Sequence, residues 1–167
     1  VMSPDGQRAL LYSTASGISR YGSWERGESE DTVDVHALVK PVSSMTISPT
    51  GGTALVFHDK DNGEDVEPGS AFYNAWALTM IDLDDHFANP LRLPAKPTAY
   101  ANSDDGETGF YIMEGEPLLE ILHYDSLLYD EVNLKSEPVY LGTLPETRSA
   151  YVSQRHDLGR ISFYDAD

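Results

Sequence analysis

The chain has 167 residues, 28 of them acidic against 11 basic, giving a formal net charge of −17 with no cysteine. That charge excludes nucleic acid as a partner, because phosphates need a cationic footprint, and it disfavours anionic membrane surfaces. The missing thiols exclude disulfides, thiolate catalysis and cysteine-ligated zinc.

No apolar stretch reaches the roughly 18 residues that span a bilayer, and Val1-Met2-Ser3 carries neither region of a secretion signal. In chain order, Ser3-Pro4-Asp5-Gly6 reads as a turn, with proline setting φ and glycine closing it. Arg8 to Ser13 follows as a short strand, then a polar, glycine-bearing segment with one irregular strand around Ser19 to Trp24. Thr32 to Val39 alternates apolar and polar residues, the period of a half-buried strand.

Met45 to Ile47 enters a second turn, Ser48-Pro49-Thr50-Gly51, and Thr53 to His58 leaves it as a strand. Asp59 to Gly69 is a loop by composition. Phe72 to Leu83 is apolar enough for a helix, but Trp76, Thr79 and Ile81 favour a pleated surface, so a strand is expected. Leu91 to Leu93, between two prolines, reads as a short outer strand. Pro97 to Ala101 then enters a third turn at Ser103-Asp104-Asp105-Gly106, and Thr108 to Met113 leaves it. Further strands are expected at Pro117 to Tyr124, Glu131 to Leu134 and Val139 to Leu141. Arg148 to Ser153 enters a last turn over Gln154 to Gly159, and Arg160 to Tyr164 leaves it.

The turn glycines Gly6, Gly51, Gly106 and Gly159 recur at intervals of 45, 55 and 53 residues, near the period of a four-stranded propeller blade. Three positions beyond each stands a small residue, Ala9, Ala54, Gly109 or Ser162, followed by bulky apolar ones. This pattern resembles the WD40-like and TolB-like propellers of bacteria, in which a strand ends in Ser-Pro-Asp-Gly and the next begins. The resemblance spans the chain and implies a fold; its common element is structural, so it carries no catalytic residue over.

The expected fold is all-β, with about three to three and a half four-stranded propeller blades in an incomplete ring; a β-sandwich is the alternative. As one segment over 1–167, its units run 1–44, 45–96, 97–147 and, in part, 148–167. Closed propellers need roughly four to eight blades, so the ring is expected to be completed by blades of the same or another chain.

Candidate chemistry is sparse. Asp59, Asp61 and Asp65 alternate on a glycine-containing loop and form a calcium candidate, although Gly63 stands fifth rather than sixth and Ser70 occupies the twelfth position. A solvated acidic loop is the simpler reading. The five histidines never fall at metal-ligand spacing; His58 and His123 stand at strand ends beside Asp59 and Asp125. Neighbouring acids such as Asp84-Asp85, Asp104-Asp105 and Glu114/Glu116 arise by chance in so acidic a chain. No nucleophile elbow or phosphate loop is present. Ten tyrosines with Trp24 and Trp76 are the better resource, for packing between blades or for contact with a partner.

The expected function is a noncatalytic interaction scaffold, without cofactor, in a larger extracellular, periplasmic or cell-surface assembly. A fragment of a propeller-fold hydrolase or lyase and a calcium-stabilised adhesive or glycan-binding module are the alternatives.

Overall fold

The structure is a computed structural model that describes residues 1–15, 17–60 and 66–165. Among these residues there is no helix, and all 14 strands lie in four antiparallel sheets. The first sheet holds β1 (Arg8–Tyr12), β2 (Arg20–Glu25) and β3 (Thr32–Ala37) in that order. The second holds β4 (Ser44–Ile47), β5 (Thr53–His58), β6 (Trp76–Asp82) and β7 (Ala88–Leu93). The third holds β8 (Pro97–Asn102), β9 (Thr108–Met113), β10 (Leu118–His123) and β11 (Leu128–Asn133). The fourth holds β12 (Pro138–Thr143), β13 (Ala150–Gln154) and β14 (Arg160–Tyr164). Each strand pairs with its sequence neighbour, the meander that short turns impose. The chain divides into two compact units, Val1–Pro94 with the first two sheets and Ala95–Asp167 with the last two.

Helix content in Phe72 to Leu83 gives way to strand, as Trp76, Thr79 and Ile81 predict, because β6 lies between two hydrogen-bonded neighbours and is buried along almost its whole length. β11 begins earlier than expected, at Leu128, since Leu127 takes a positive φ of 54° and closes the turn from β10 within a few residues.

The recurring turn joins the first two strands of the second, third and fourth sheets and leads into β1 of the first. In three copies the serine N–H bonds the carbonyl five residues on: Ser3 to Arg8 at 2.9 Å, Ser48 to Thr53 at 2.7 Å and Ser103 to Thr108 at 2.8 Å. The serine hydroxyl accepts the N–H of that same fifth residue, at 2.9, 3.1 and 3.1 Å. Gly6, Gly51 and Gly106 adopt φ of 68°, 82° and 73°, a region costly for a side chain with Cβ. The first copy receives only a short entering segment, which bridges Met2 to Ala9.

The fourth copy is not at Gln154 to Gly159, which instead connects β13 to β14. It is Leu144-Pro145-Glu146-Thr147, between β12 and β13, where the Leu144 N–H bonds the Ser149 carbonyl at 3.0 Å. Neither serine nor glycine survives there. The Thr147 hydroxyl takes over the acceptor role, receiving the Ser149 N–H at 3.0 Å, and Glu146 carries the positive φ, 60°. The sixth residue of the four turns, counted after the first, is therefore Ala9, Ala54, Gly109 and Ala150; Ser162 belongs to β14.

These small residues position the sheets. In the first unit Leu10 and Tyr21 of the first sheet pack against Met45, Ile47, Ala54, Val56, Ile81 and Leu83 of the second. In the second unit Phe110, Ile112, Leu119 and Ile121 of the third sheet pack against Leu141, Ala150 and Val152 of the fourth. Gly109 faces the other way, and a Cβ there falls on the Tyr124 hydroxyl, with the ring Cζ only 2.8 Å away. Gly109→Ala is expected to cost about 1–3 kcal/mol through overpacking, measured by chemical denaturation. Gly52→Ala, with nothing within 4 Å of its Cβ, is expected to stay within roughly 0.5 kcal/mol of the parent.

Candidate functional site

Four polar clusters sit inside these sheets, each built on a different pair of strands. Between the first and second sheets, His36 on β3 stacks on His86 of the β6–β7 turn, ring centroids 3.9 Å apart and planes 26° from parallel. Tyr21 stacks on His36 at 4.9 Å, its hydroxyl lies 3.1 Å from His86 Nδ1, and the Ser23 hydroxyl lies 2.9 Å from His36 Nε2. Burial, then the neighbouring His86, lowers the His36 pKa, while burial raises the Tyr21 hydroxyl to about 12. An Arg8–Asp84 ion pair of 2.5 Å closes the same joint.

Inside the second sheet, His58 is almost fully buried, its Nδ1 2.9 Å from the Pro41 carbonyl and its Nε2 2.8 Å from the Thr79 hydroxyl. Burial lowers its pKa to about 4. With Nδ1–H donating to Pro41, Nε2 accepts from Thr79, so the neutral ring satisfies both contacts. Lys40 is completely buried beside it, and its Nζ donates to the Ala75 carbonyl at 2.7 Å and the Lys60 carbonyl at 3.3 Å.

In the third sheet, Tyr124 donates its hydroxyl proton to Asn102 Oδ1 at 2.6 Å and meets the Tyr100 hydroxyl at 2.5 Å; Tyr100 also reaches Asn102. Burial raises Tyr100 to about 12 and shifts Tyr124 and Tyr111 upward as well. Glu120, only 2 % exposed, stands in register between Tyr111 and Glu131, and its Oε2 has no hydrogen-bond partner among the described residues. Burial, then Glu131, raises its pKa to about 7. A side chain so enclosed does not reach a substrate. In the fourth sheet Gln154 accepts the Lys135 and Ser136 N–H groups, both at 3.1 Å, and donates to Ser162 at 2.6 Å.

One groove in the first unit has a different character. It encloses about 450 Å³ and is lined by Lys60, Asn74, Trp76, Arg92 and Pro94. Lys60 and Arg92 share that lining with Trp76, on a chain of net charge −17.

The residues singled out from the sequence are thus dispersed. Asp59 ends β5's exit, whereas Asp61 and Asp65 of the calcium candidate lie outside the described residues. His123 pairs with Asp130 at 2.9 Å, across the β10–β11 hairpin, rather than with Asp125. The adjacent acids serve turns: Asp85 caps the Phe87 N–H at 2.8 Å, Asp104 the Glu146 N–H at 2.9 Å, and Asp105 holds Ser103 and Arg148. Trp24 donates its indole N–H to Asp31 at 3.1 Å. Glu120 had a sequence signal, a lone carboxyl in Leu118-Leu119-Glu120-Ile121-Leu122; Lys40 had none.

The titrations of Glu120 and His58 oppose each other. Glu120 has a folded pKa above its unfolded value, so its contribution is fully present below about pH 4.5 and is lost as pH rises to about 7. His58 has a folded pKa below its unfolded value, so its contribution is present above about pH 6.5 and is lost as pH falls to about 4. Glu120→Gln is expected to raise the melting temperature relative to the parent by several degrees more at pH 8 than at pH 5, measured by scanning calorimetry.

No family profile matches the chain, and no curated protein is similar to it in sequence. Solved structures are. The hydrazine synthase of Kuenenia stuttgartiensis aligns at a TM-score of 0.52 and 15 % identity, over 99 % of this chain and 51 % of that one. The dihydro-heme d1 dehydrogenase NirN, in complex with DHE, aligns at 0.55 and 12 %, over 91 % and 32 %. The RRP9 WD40 repeats align at 0.55 and 8 %, over 99 % and 49 %. The chain therefore spans between a third and about half of the structures it matches. All are of β-propeller type, some enzymes and one a WD40 array. In fold, this chain is of β-propeller type, its antiparallel sheets corresponding to blades.

Proposed function

We propose that the chain is a noncatalytic propeller scaffold that binds a protein partner, as part of a larger extracellular or envelope assembly. The observation that carries this reading is the groove of Lys60, Trp76 and Arg92. Tryptophan and arginine are the side chains that most often dominate protein contacts, and paired cations favour an acidic side chain or chain terminus. The clusters with the most perturbed protonation support the same reading from the other side. His58, Tyr124 and Glu120 are buried within their own sheets and bonded to, or enclosed by, neighbouring strands. A cysteine-free, strongly acidic composition suits an exposed, soluble surface.

A photo-crosslinking residue in place of Arg92, in the chain produced in its native cells, is expected to capture a discrete protein. Trp76→Ala is expected to remove that adduct. Labelling no greater than from exposed Glu28, or unaffected by Trp76→Ala, overturns the proposal.

A further inference from the structure

One polar cluster fixes an edge of the joint in the first unit, and its two central groups both titrate. Leu10 and Tyr21 supply the first sheet's apolar part of that joint. The cross-strand pairs Arg8–Glu25, Tyr12–Tyr21, Tyr21–His36 and Ser23–Asp34 put these side chains on the face that Leu10 and Tyr21 share. Along β3, Thr32 and Asp34 on this face are exposed, and His36 is the only residue of the strand that is not. Within β3, contact with the second sheet therefore rests on one side chain, and that side chain ends on His86.

The other half of the contact is as narrow. In the β6–β7 turn Asp84, Asp85 and Phe87 are exposed, while His86 is half-buried. His86 takes a positive φ of 60°, a conformation that a side chain with Cβ adopts at a cost. The turn carries that cost where the imidazole gains the stack on His36 and the contact with the Tyr21 hydroxyl.

Both hydrogen bonds of the cluster survive a proton, since the Tyr21 and Ser23 hydroxyls donate to a neutral ring nitrogen and accept from a protonated one. The limit comes from the stack. Rings 3.9 Å apart hold one charge without conflict and two only against direct repulsion, so the pair takes up its protons in two separated steps. The charged and titratable groups around the pair are Arg8 and Tyr12 of β1, Tyr21 and Glu25 of β2, Asp34 of β3, and Asp84 and Asp85 of the turn. β4 and β5 add only Met45, Ile47, Ala54 and Val56. Arg8, itself a cation, engages Glu25 at 3.4 Å and Asp84 at 2.5 Å, and Asp85 caps the Phe87 N–H. Asp34 and Glu25 favour a charge on His36, but burial and then His86 outweigh them, and its pKa is lowered.

We propose that the His36–His86 stack is a pH-sensitive latch, which clamps β3 to the β6–β7 turn while at most one ring is charged and releases this edge when both are. The released form binds more protons than the closed one, so falling pH favours it. For His36, whose folded pKa lies below its unfolded value, the contribution to the joint is full above about pH 6.5 and is lost as pH falls. Leu10 and Tyr21 stay packed, so the release is an opening of β3 and the turn rather than an unfolding of the unit.

The test is amide hydrogen exchange of the full chain, with β3 protection compared between about pH 7.5 and about pH 5. The parent is expected to lose roughly tenfold of its β3 protection at the lower pH, the scale of one pKa unit. In His86→Asn, chosen because asparagine tolerates positive φ, and in His36→Gln, the loss is expected to shrink to about twofold or less. His58 loses its contribution towards about pH 4, but it is the same in parent and variants, so the comparison cancels it. The ring resonance of His36 is expected to titrate at higher pH in His86→Asn than in the parent, which a purely structural contact would not produce. A parent whose β3 protection does not change with pH, variants that keep the parent's loss, or a His36 titration unmoved by His86→Asn overturns the proposal.

Discussion

A buried backbone N–H must find an acceptor, and the sheets of this chain depend on how that demand is met at one recurring place. The residue that leaves each recurring turn, Arg8, Thr53, Thr108 or Ser149, gives its N–H to a hydroxyl two or five positions earlier. That bond, with the reciprocal carbonyl contact, sets the register of the first two strands. Register then decides which side chains share a face. The next residue is always small, and each joint between packed sheets seats either Ala54 or Ala150 against a bulkier neighbour. One hydroxyl at the turn thereby controls packing a full strand away.

The polar interior follows from the same geometry. Once a sheet is covered on a face, polar groups there must be neutral or bonded. His58 meets this as a neutral ring bonded to Pro41 and Thr79, while at Glu120 burial shows as a carboxyl pKa raised to about 7. Tyr124 spends its hydroxyl on Asn102, in the space that only glycine at position 109 leaves. These groups are perturbed because they are enclosed. Perturbation alone is therefore weak grounds for catalysis, and a half-open groove with tryptophan and arginine says more about contact with other molecules.

The sequence makes the class of fold legible through the serine-proline turns and the small residue beyond them, since both are local requirements written in residue type. It misplaces the fourth turn for a physical reason. The turn needs an acceptor hydroxyl and one residue at positive φ, not serine and glycine as such, and Thr147 with Glu146 supplies both. A motif read by identity misses a motif conserved by role. The polar clusters were legible only where a residue contradicts its surroundings, as Glu120 does in an apolar run. His36 and His86 stand 50 positions apart and meet only because β3 packs beside the β6–β7 turn. Lys40 and the groove at Trp76 likewise depend on which loops the meander brings together, which no local pattern encodes.

Charge distribution completes the account of surfaces. With a net charge of −17, self-repulsion opposes any close approach of two copies. At physiological ionic strength this acts over about 8 Å, so it discriminates by location: acidic loops keep each other apart, while uncharged patches do not. Leu11, Val33 and Val35 of the first sheet, and Tyr140, Ile161 and Phe163 of the fourth, are exposed strand residues with acids near them in sequence, such as Asp34 and Asp165. Period-2 alternation turns Asp34 to the opposite side of β3 from Val33 and Val35. Arg20, in register with Ala37, and Asp165, which accepts from the Ser149 hydroxyl at 3.0 Å, are the charges that this alternation leaves on the same sides as these apolar residues. The same alternation builds the joints inside each unit, where Leu10 meets Ala54 and Val56, and Phe110 and Ile112 meet Ala150 and Val152.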